Sequence, residues 1–312
     1  MSEGARRDRL ARPAGRPPTI AVAGAVGPAA LRAAGWQLRG VLSTDPYVDR
    51  LEAATYVEPS ELVDDALLDA VAVDGDDADL AALLPVLRGS GLLLLLPTAA
   101  PLDPDAVRAA RAVAEPAEAV VGLIARWEPW ARVVAGALPL AGGPPVQVTV
   151  RGWPRGRQAA AELVDLAASW CGEVAAVVAA PAALPATELP GGAAVAWALL
   201  TASGATVLVS HQGAVPEVRL SFATARLVAG PAGARWEGGA DLPLPSPVCR
   251  APVGVPPGLV ASAAALAAAT GGRDVATQDW PWPADLGDLL VVARVLEALR
   301  LSARTEQLVP VA

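Results

Sequence analysis

The sequence predicts two successive domains, an α/β domain with a parallel sheet and then an α+β domain with a mainly antiparallel sheet. In the first part of the chain, short β-rich runs alternate with helical segments, which is the pattern of a parallel sheet. From about residue 145, strand-like runs follow one another with Gly and Pro turns between them. A length of 312 residues fits one large or two medium domains. We therefore expect a tail at 1–18, a first domain at 19–125 and a second at 126–312.

The first domain is predicted to contain five strands joined by helices. The strands are expected at residues 19–24, 37–43, 68–73, 91–96 and 119–124. Helices are expected at about 28–34 and at 59–67, 80–90 and 103–114. Ser60 is the expected N-cap of the second helix, and Pro104 falls in the first turn of the last, where proline is favoured.

The second domain is predicted to be an antiparallel sheet that carries a helix. Strands are expected at residues 145–152, 193–201, 204–212, 217–223 and 225–229. Apolar residues at helical spacing predict a helix at 158–171 and a final helix at 286–302, which could pack back on the first domain. Residues 179–190 and 243–257 are predicted loops because they are rich in Ala and Pro.

The composition excludes several kinds of chemistry, because all 24 basic residues are Arg and the only histidine is His211. No Schiff base, lysine acid or P-loop lysine can form without Lys, and a His-rich metal site is impossible. A net charge of −8 argues against nucleic-acid binding. The sequence also has no Asn and abundant Ala, Gly, Pro and Arg, as compositional drift would produce. Drift explains missing surface lysines but not a missing catalytic one, since Arg does not release its proton near neutral pH.

The N-terminal residues and the cysteines indicate no export, membrane or disulfide signal. Residues 1–18 are rich in Arg but lack an apolar core, so we predict a disordered basic tail rather than a secretory signal. An arm for an anionic partner is the alternative. No apolar run reaches the ~20 residues that a membrane helix needs. The two cysteines give neither a disulfide framework nor a metal-binding spacing. We expect a cytoplasmic protein with no membrane partner.

Six segments, in order and spacing, resemble landmarks of the Gfo/Idh/MocA family, the relatives of glucose–fructose oxidoreductase and inositol dehydrogenase. They are LDAVAV at 68–73, GLLLLLPTAAPL at 91–102, RWEP at 126–129, ELVDLAASWCG at 162–172, the 230–239 hairpin and the closing segment 285–304. The resemblance implies a Rossmann-like NAD(P)-binding domain followed by an open antiparallel sheet. Family members pair through that sheet, so it also implies a homo- or hetero-oligomer.

The positions that correspond to the catalytic residues of the family are altered. Thr98 stands where the E-K-P motif of the family supplies a lysine, and a neutral hydroxyl cannot donate a proton at a useful rate near pH 7. In the H-x-x-D pair of the family, Glu162 takes the histidine position and Asp165 is retained. One helical turn apart, these carboxylates would share a face and could do acid–base work if burial raised one pKa. Alternatively, they are solvated or paired with Arg155 or Arg157.

The turn after the first strand retains only part of a dinucleotide fingerprint, which needs glycines because the backbone must approach a pyrophosphate closely. Gly24 fits the first glycine, whereas Val26 falls at the second. Gly27 could serve after a shift of one residue. Pro28 has no N–H for a phosphate. The resemblance therefore implies NAD(P) as the cofactor through Gly24 and Gly27, with an eroded site.

The segments after the second and third strands also depart from the family. Ser43 and Thr44 follow the second strand, where NAD-binding relatives carry an acid and NADP-binding ones often a Ser-Arg pair. Residues 74–77 (DGDD) place three carboxylates where the family has a neutral turn, and their charge would repel a pyrophosphate. A solvated acidic loop and a divalent-cation site are the alternative interpretations.

The remaining conspicuous residues are aromatic or imidazole groups. His211 lies in a predicted strand and is expected to be structural, unless it faces the cleft beside Glu162. Tryptophans can stack on a sugar, another flat small-molecule ligand or a partner protein, or simply pack in loops and cores. The conspicuous ones are Trp127, Trp130, Trp153, Trp280 and Trp282.

Three hypotheses about function remain open. The first is a degenerate family member that has lost redox catalysis and acts as a binding or partner protein, and the changes at Val26, Thr98 and Glu162 favour it. The second is an active NAD(P)-dependent oxidoreductase on a sugar-like or polyol-like substrate, in which Glu162 and Asp165 replace the lost acid. The third is a non-redox enzyme that uses the same cleft with Glu162, Asp165 or His211.

Overall fold

The computed structural model describes residues 16–24, 28–42, 53–74, 77–88, 90–96, 103–113, 119–154, 156–179, 196–211, 213–237, 244, 257–270 and 284–311. They belong to two compact units. The first unit comprises Met1–Ile124 and Arg250–Leu290, and the second comprises Ala125–Cys249 and Val291–Ala312. The predicted domain limits at 125/126, and the predicted packing of the final helix, stay predictions.

The described strands and helices are numbered here in chain order. The strands are β1 (Thr19–Gly24), β2 (Gln37–Leu42), β3 (Ala54–Tyr56), β4 (Ala70–Asp74), β5 (Leu93–Leu96), β6 (Ala119–Val121), β7 (Gln147–Arg151), β8 (Val174–Ala179), β9 (Ala196–Thr201), β10 (Thr206–Ser210), β11 (Glu217–Ser221), β12 (Arg226–Gly230), β13 (Gly233–Glu237) and β14 (Val309–Pro310). The helices are α1 (Pro28–Ala33), α2 (Pro59–Asp64), α3 (Asp77–Leu87), α4 (Pro104–Val113), α5 (Pro129–Ala137), α6 (Arg157–Cys171), α7 (Pro257–Thr270) and α8 (Leu286–Thr305).

The first unit is built on a six-stranded sheet in the order β3-β2-β1-β4-β5-β6, with every neighbouring pair parallel. The chain runs outward from β1 to β3 and then returns to place β4 on the other side of β1. This is the Rossmann strand order, in which a dinucleotide binds where the order reverses, outside the carboxyl ends of the central strands. The predicted parallel sheet is confirmed, and β3 is a strand that the sequence did not predict.

The helix caps of this unit confirm one expectation and contradict another. The expected N-cap of α2, Ser60, is wrong: the cap position is Glu58, because Pro59 already occupies the first turn and Ser60 follows it inside the helix. In α4, Pro104 begins the helix as predicted. The backbone N–H groups of Asp105 and Ala106 donate to Oδ1 of Asp103 at 2.8 and 3.1 Å.

The core of the first unit contains residues from the start of the chain and residues from α7, which lies more than two hundred positions later in the sequence. Buried residues of β1 and α1, among them Ile20 and Leu31, share a cluster with Ala263 and Leu266 of α7. Trp36, which is 3% exposed, donates from Nε1 to the carbonyl oxygen of Ala263 at 2.7 Å. The helix α7 was not predicted. It begins at the end of the predicted 243–257 loop and supplies part of this core.

The second unit contains an eight-stranded sheet in the order β13-β12-β11-β7-β10-β9-β8-β14. All neighbouring pairs are antiparallel except β7 with β10, which confirms a mainly antiparallel sheet. Alternate residues are buried, so that Val148, Val150, Val207 and Val209 contribute to the core. The helix α6 presents its own buried stripe, which includes Leu163, Leu166 and Trp170.

No helix in the described part of the chain is long and apolar enough to cross a membrane.

Candidate functional site

The segment that leads into α5 brings a cation against the middle of α6. Residues Ile124–Trp127 form one turn of 3₁₀ helix, and Arg126 projects from it to Asp165. Nε of Arg126 donates to Oδ2 of Asp165 at 2.5 Å, and Nη2 donates to Oδ1 at 2.6 Å. Asp165 is 2% exposed. The alternative that Asp165 is solvated is therefore wrong, and Arg126 is a partner that the sequence did not suggest.

This ion pair restricts the chemistry of Asp165. A bidentate guanidinium–carboxylate pair is among the stronger charge-assisted contacts, and both carboxylate oxygens are engaged in it. Separating the pair would take two charge-assisted hydrogen bonds from a buried carboxylate, which costs several kcal/mol. Asp165 therefore orients α6 against Arg126 and is poorly placed to accept a proton from a ligand.

Glu162, one turn before Asp165, has a different environment. Its Oε1 accepts a hydrogen bond of 2.9 Å from Nε2 of Gln158. Burial raises its pKa to about 7, and the negative charges of Glu128 and Asp165 act in the same direction, whereas the bond from Gln158 opposes them. A carboxyl group that titrates near neutral pH can serve as a general acid or a general base. Of the two predicted acid–base residues, Glu162 is thus the one with suitable properties.

Glu128, which lies in the RWEP turn, is a third carboxylate of this cluster. It occupies the N-cap position of α5 without a side-chain cap bond, and burial raises its pKa. Arg126 and Glu128 are two residues apart on one segment, and Asp165 and Glu162 are three apart on α6. Arg126 therefore places a positive charge beside the Asp165 carboxylate, and Glu128 places a second negative charge near Glu162.

His211, Trp130, Trp153 and Trp170 are buried residues of the second unit. His211 is 8% exposed, and its Nδ1 lies 3.0 Å from the carbonyl oxygen of Trp153. Nε1 of Trp153 donates to the carbonyl oxygen of Ala159 in α6 at 2.7 Å. Trp130 packs edge to face on both Trp153 and Trp170, with ring centroids 6.0 Å apart in each pair. Trp130 and Trp153 are therefore core residues, which agrees with the simpler of the two expectations for them.

Of the residues predicted to bind a cofactor, the structure describes Gly24. This residue ends β1, pairs with Asp74 of β4, and has a φ of 95° that favours glycine. It thus fits the position where the Rossmann order places a pyrophosphate. The helix α1, which begins at Pro28, is only six residues long. Four further residues predicted to bind the cofactor or to act in catalysis lie outside the described residues: Gly27, Ser43, Thr44 and Thr98. The same is true of Trp280 and Trp282.

Metal and thiol chemistry find no support in the described residues. No group of three or more His, Cys, Asp and Glu side chains there is arranged to hold a metal ion. Cys171 is buried, and burial raises its pKa to about 12, so the thiol is not a nucleophile near neutral pH.

Comparison with known proteins bears on the fold. No protein-family model and no curated protein matches this sequence. Solved structures do match, and among them are sugar and polyol dehydrogenases. This chain has the fold of the Gfo/Idh/MocA-type oxidoreductases. The resemblance found in the sequence is thereby confirmed at the level of the fold.

Three of these structures illustrate the likeness. The aldose-aldose oxidoreductase from Caulobacter crescentus, complexed with glycerol, has a TM-score of 0.73 at 17% identity, covering 95% of this chain and 100% of its own. A myo-inositol dehydrogenase from Corynebacterium glutamicum has a TM-score of 0.69 at 16% identity, over 95% and 99%. Levoglucosan dehydrogenase in complex with NADH has a TM-score of 0.73 at 13% identity, over 95% and 100%.

Proposed function

We propose that this protein is a degenerate member of the oxidoreductase fold that has lost redox catalysis and acts as a binding or partner protein. The observation that carries the proposal is the engagement of Asp165 by Arg126 in a chain that contains no lysine. Transfer of a hydride from an alcohol also requires a group that removes the hydroxyl proton. Thr98 cannot do this, and Asp165 would have to leave its ion pair to do so.

The test is a cofactor titration followed by an activity screen. NADH and NADPH are added to the full-length protein while energy transfer from tryptophan to the nicotinamide is recorded. A panel of polyols and sugars is then tested for reduction of NAD⁺ and NADP⁺. We expect no turnover, and we expect Thr98→Lys to restore none, because Asp165 remains paired. Saturable turnover by the unmodified protein would overturn the proposal, whether or not cofactor binding is tight.

A second candidate function is an active NAD(P)-dependent oxidoreductase, and the raised pKa of Glu162 favours it. Glu162 would exchange the substrate proton, while NAD(P) would supply the hydride acceptor. Gly24 would lie at the pyrophosphate, with Gly27, Ser43 and Thr44 as the further cofactor residues. Several proteins of the same fold are sugar or polyol dehydrogenases, and one was solved with NADH, which makes a sugar-like or polyol-like substrate the first choice.

Variants at Glu162 separate this candidate from the first. Activity that disappears in Glu162→Gln, with an inflection of kcat/KM near pH 7 in the unmodified protein, would support the oxidoreductase. Glu173→Gln is the matched control, since Glu173 is an exposed carboxylate just after the same helix. Turnover that needs Glu162 but no nicotinamide cofactor would instead indicate a non-redox enzyme.

We also propose that two chains associate through the open face of the second sheet. Leu208 of β10 is 39% exposed and Val178 of β8 is 38% exposed. Each of them pairs in register with Ala198 of β9, so the three side chains form a row across the sheet. Sedimentation of the full chain should show a dimer that Leu208→Asp dissociates. Val215→Asp is the control, because Val215 is 57% exposed but lies in the loop after β10. A monomeric unmodified protein would contradict self-association and redirect the search to a different partner chain.

A further inference from the structure

The strand β13 is the last strand on one side of the eight-stranded sheet, and no described strand lies beyond it. It forms a hairpin with β12, in which Gly230 pairs with Gly233. A free strand edge presents backbone N–H and C=O groups that can accept a further strand. Charged side chains commonly protect such an edge, and β13 carries two of opposite sign, Arg235 and Glu237. Their arrangement decides which partner the edge can accept.

The hydrogen bonds of the neighbouring strands show which backbone groups of β13 point outward. The N–H of Phe222 donates to the carbonyl oxygen of Ala225 at 2.9 Å, so Ala225 directs its backbone groups toward β11. This direction alternates from residue to residue along an antiparallel strand. Val228, three positions later, therefore directs its groups toward β13 and exchanges hydrogen bonds with Arg235. The next residue, Trp236, then directs its N–H and C=O to the free edge.

The side chains of β13 alternate between the two faces of the sheet. Trp236 lies opposite the buried Leu227, and its ring packs near Phe222 with centroids 6.0 Å apart. Trp236 is nevertheless only half-buried. Arg235 and Glu237 lie on the other face, where Nη2 of Arg235 is 3.5 Å from Oε1 of Glu237. The edge thus presents a partly exposed aromatic ring on one face and a pair of opposite charges on the other.

We propose that β13 pairs antiparallel with β13 of a second copy of this chain, about a two-fold axis at Trp236. In this register Trp236 lies opposite Trp236 of the second copy, and the two residues exchange both backbone hydrogen bonds because both direct these groups outward. Arg235 then lies opposite Glu237 of the second copy, and the symmetry repeats this ion pair once. Pairing also covers the exposed part of the Trp236 ring, and tryptophan is a frequent anchor of interfaces.

The neighbouring registers are less favourable because of the charges. An axis at Arg235 places two guanidinium groups opposite each other, and an axis at Glu237 does the same with two carboxylates. Opposed residues of a pair that makes no backbone hydrogen bond have Cα atoms about 4.5 Å apart, so like charges there are destabilising. An axis at Ala234 sets Arg235 against Gly233 and gains no ion pair. Of these registers, only that centred on Trp236 sets opposite charges against each other.

Arg226 of β12 adds to the ion pairs of this register. It lies directly opposite Glu237 within the hairpin. In the assembled pair, the carboxylate of Glu237 therefore lies between Arg226 of its own chain and Arg235 of the second copy. Exposed ion pairs contribute little singly, but more when several charges form a network.

This contact is separate from the association proposed for the open face of the sheet. It uses the backbone edge of β13, whereas Leu208 and Val178 lie on strands at the other side of the sheet. Within β13, only residues 235–237 of the two copies are paired. We therefore expect a weak association, which appears at higher protein concentration than a sheet-face dimer needs.

The first test is amide hydrogen exchange of the unmodified full-length protein, followed by NMR over a range of concentrations. The Trp236 amide should exchange rapidly in dilute protein and become protected as the concentration rises. The Arg235 amide is the internal control, since it is bonded to β12 and should be protected throughout. Exchange of Trp236 that is independent of concentration would overturn the proposal. Protection in a protein that sediments as a monomer would do the same, because another part of the same chain would then cover the edge.

Charge variants then test the register, in a Leu208→Asp chain so that the open face does not contribute. Arg235→Glu and Glu237→Arg should each weaken self-association at least about 5-fold, because both ion pairs become repulsive. A mixture of the two variants should associate again, because every opposed pair is then attractive. Arg219→Glu is the matched control: Arg219 also pairs with a carboxylate two positions away, Glu217, but lies on β11, inside the sheet. Two folded variants whose mixture sediments as monomers at concentrations where the Leu208→Asp chain associates would refute the register, and the exchange measurement on the unmodified protein decides the case if a variant misfolds.

Discussion

Replacing Glu162 by Gln should change how the stability of the protein depends on pH. The pKa of Glu162 rises to about 7 in the folded protein, from the usual 4.5. Between these two values the folded state binds more protons than the unfolded state, so the free energy of unfolding falls as pH rises. Below about pH 4.5 the contribution of Glu162 is fully present, and above about pH 7 it has been lost.

The size of the effect follows from the difference between the two pKa values. At about 1.36 kcal/mol per pH unit, the rise corresponds to at most about 3 kcal/mol. Gln cannot ionise but can still accept the hydrogen bond from Gln158. Glu162→Gln should therefore remove this pH-dependent term and stabilise the protein above pH 7, while leaving its stability near pH 5 almost unchanged.

The assay is urea unfolding at pH 5 and pH 8, followed by tryptophan fluorescence. Between these pH values the unmodified protein should lose about 2–3 kcal/mol more than Glu162→Gln does. Glu173→Gln, at an exposed position, should behave like the unmodified protein. If the pH dependence of Glu162→Gln and the unmodified protein is the same, then Glu162 does not titrate near neutral pH, and its proposed acid–base role fails with it.

Two further stability predictions concern buried contacts. Arg126→Met should cost about 3–5 kcal/mol because it removes the bidentate partner of the buried Asp165 carboxylate, and adding Asp165→Leu should recover most of that loss in urea unfolding. Gly152→Ala should cost about 1–3 kcal/mol more than Gly204→Ala. Both glycines have positive φ, but only at Gly152 would a Cβ clash with backbone, at the carbonyl oxygen of Val215. Equal thermal shifts for the two alanine variants would refute the clash.

Most of the fold could be predicted because its strands and helices have strong local patterns. The β-rich run that became β1 and the alternating run that became β7 were predicted to within two residues. The helices α5 and α7 were not predicted, although each begins at a proline. Proline at a helix start is the signal that would have found them. The strand β8, VAAVVA, is rich in Ala, which has little strand preference, and it forms only because β9 and β14 flank it.

The candidate site was harder to predict because its contacts join residues that are distant in sequence. The spacing of Glu162 and Asp165 showed that they share a helix, but no local pattern showed that Arg126, 39 positions earlier, would bind Asp165. The high pKa of Glu162 depends on burial, which the sequence allowed for but could not establish. For His211 the prediction of a structural role holds at Nδ1, while the lack of a hydrogen-bond partner for Nε2 among the described residues could only be seen in three dimensions.

The hydrogen bond from Trp36 to Ala263 has a consequence for the order of folding during synthesis. The first unit is completed by a segment that the ribosome makes more than two hundred residues after Trp36. At about 5–20 residues per second, the nascent chain must keep Leu31 and Trp36 uncovered for on the order of ten seconds or more. A fragment that ends at residue 125 would never acquire α7. We therefore expect the isolated N-terminal fragment to aggregate, while the second sheet, whose strands β7–β13 are contiguous in the chain, can assemble first.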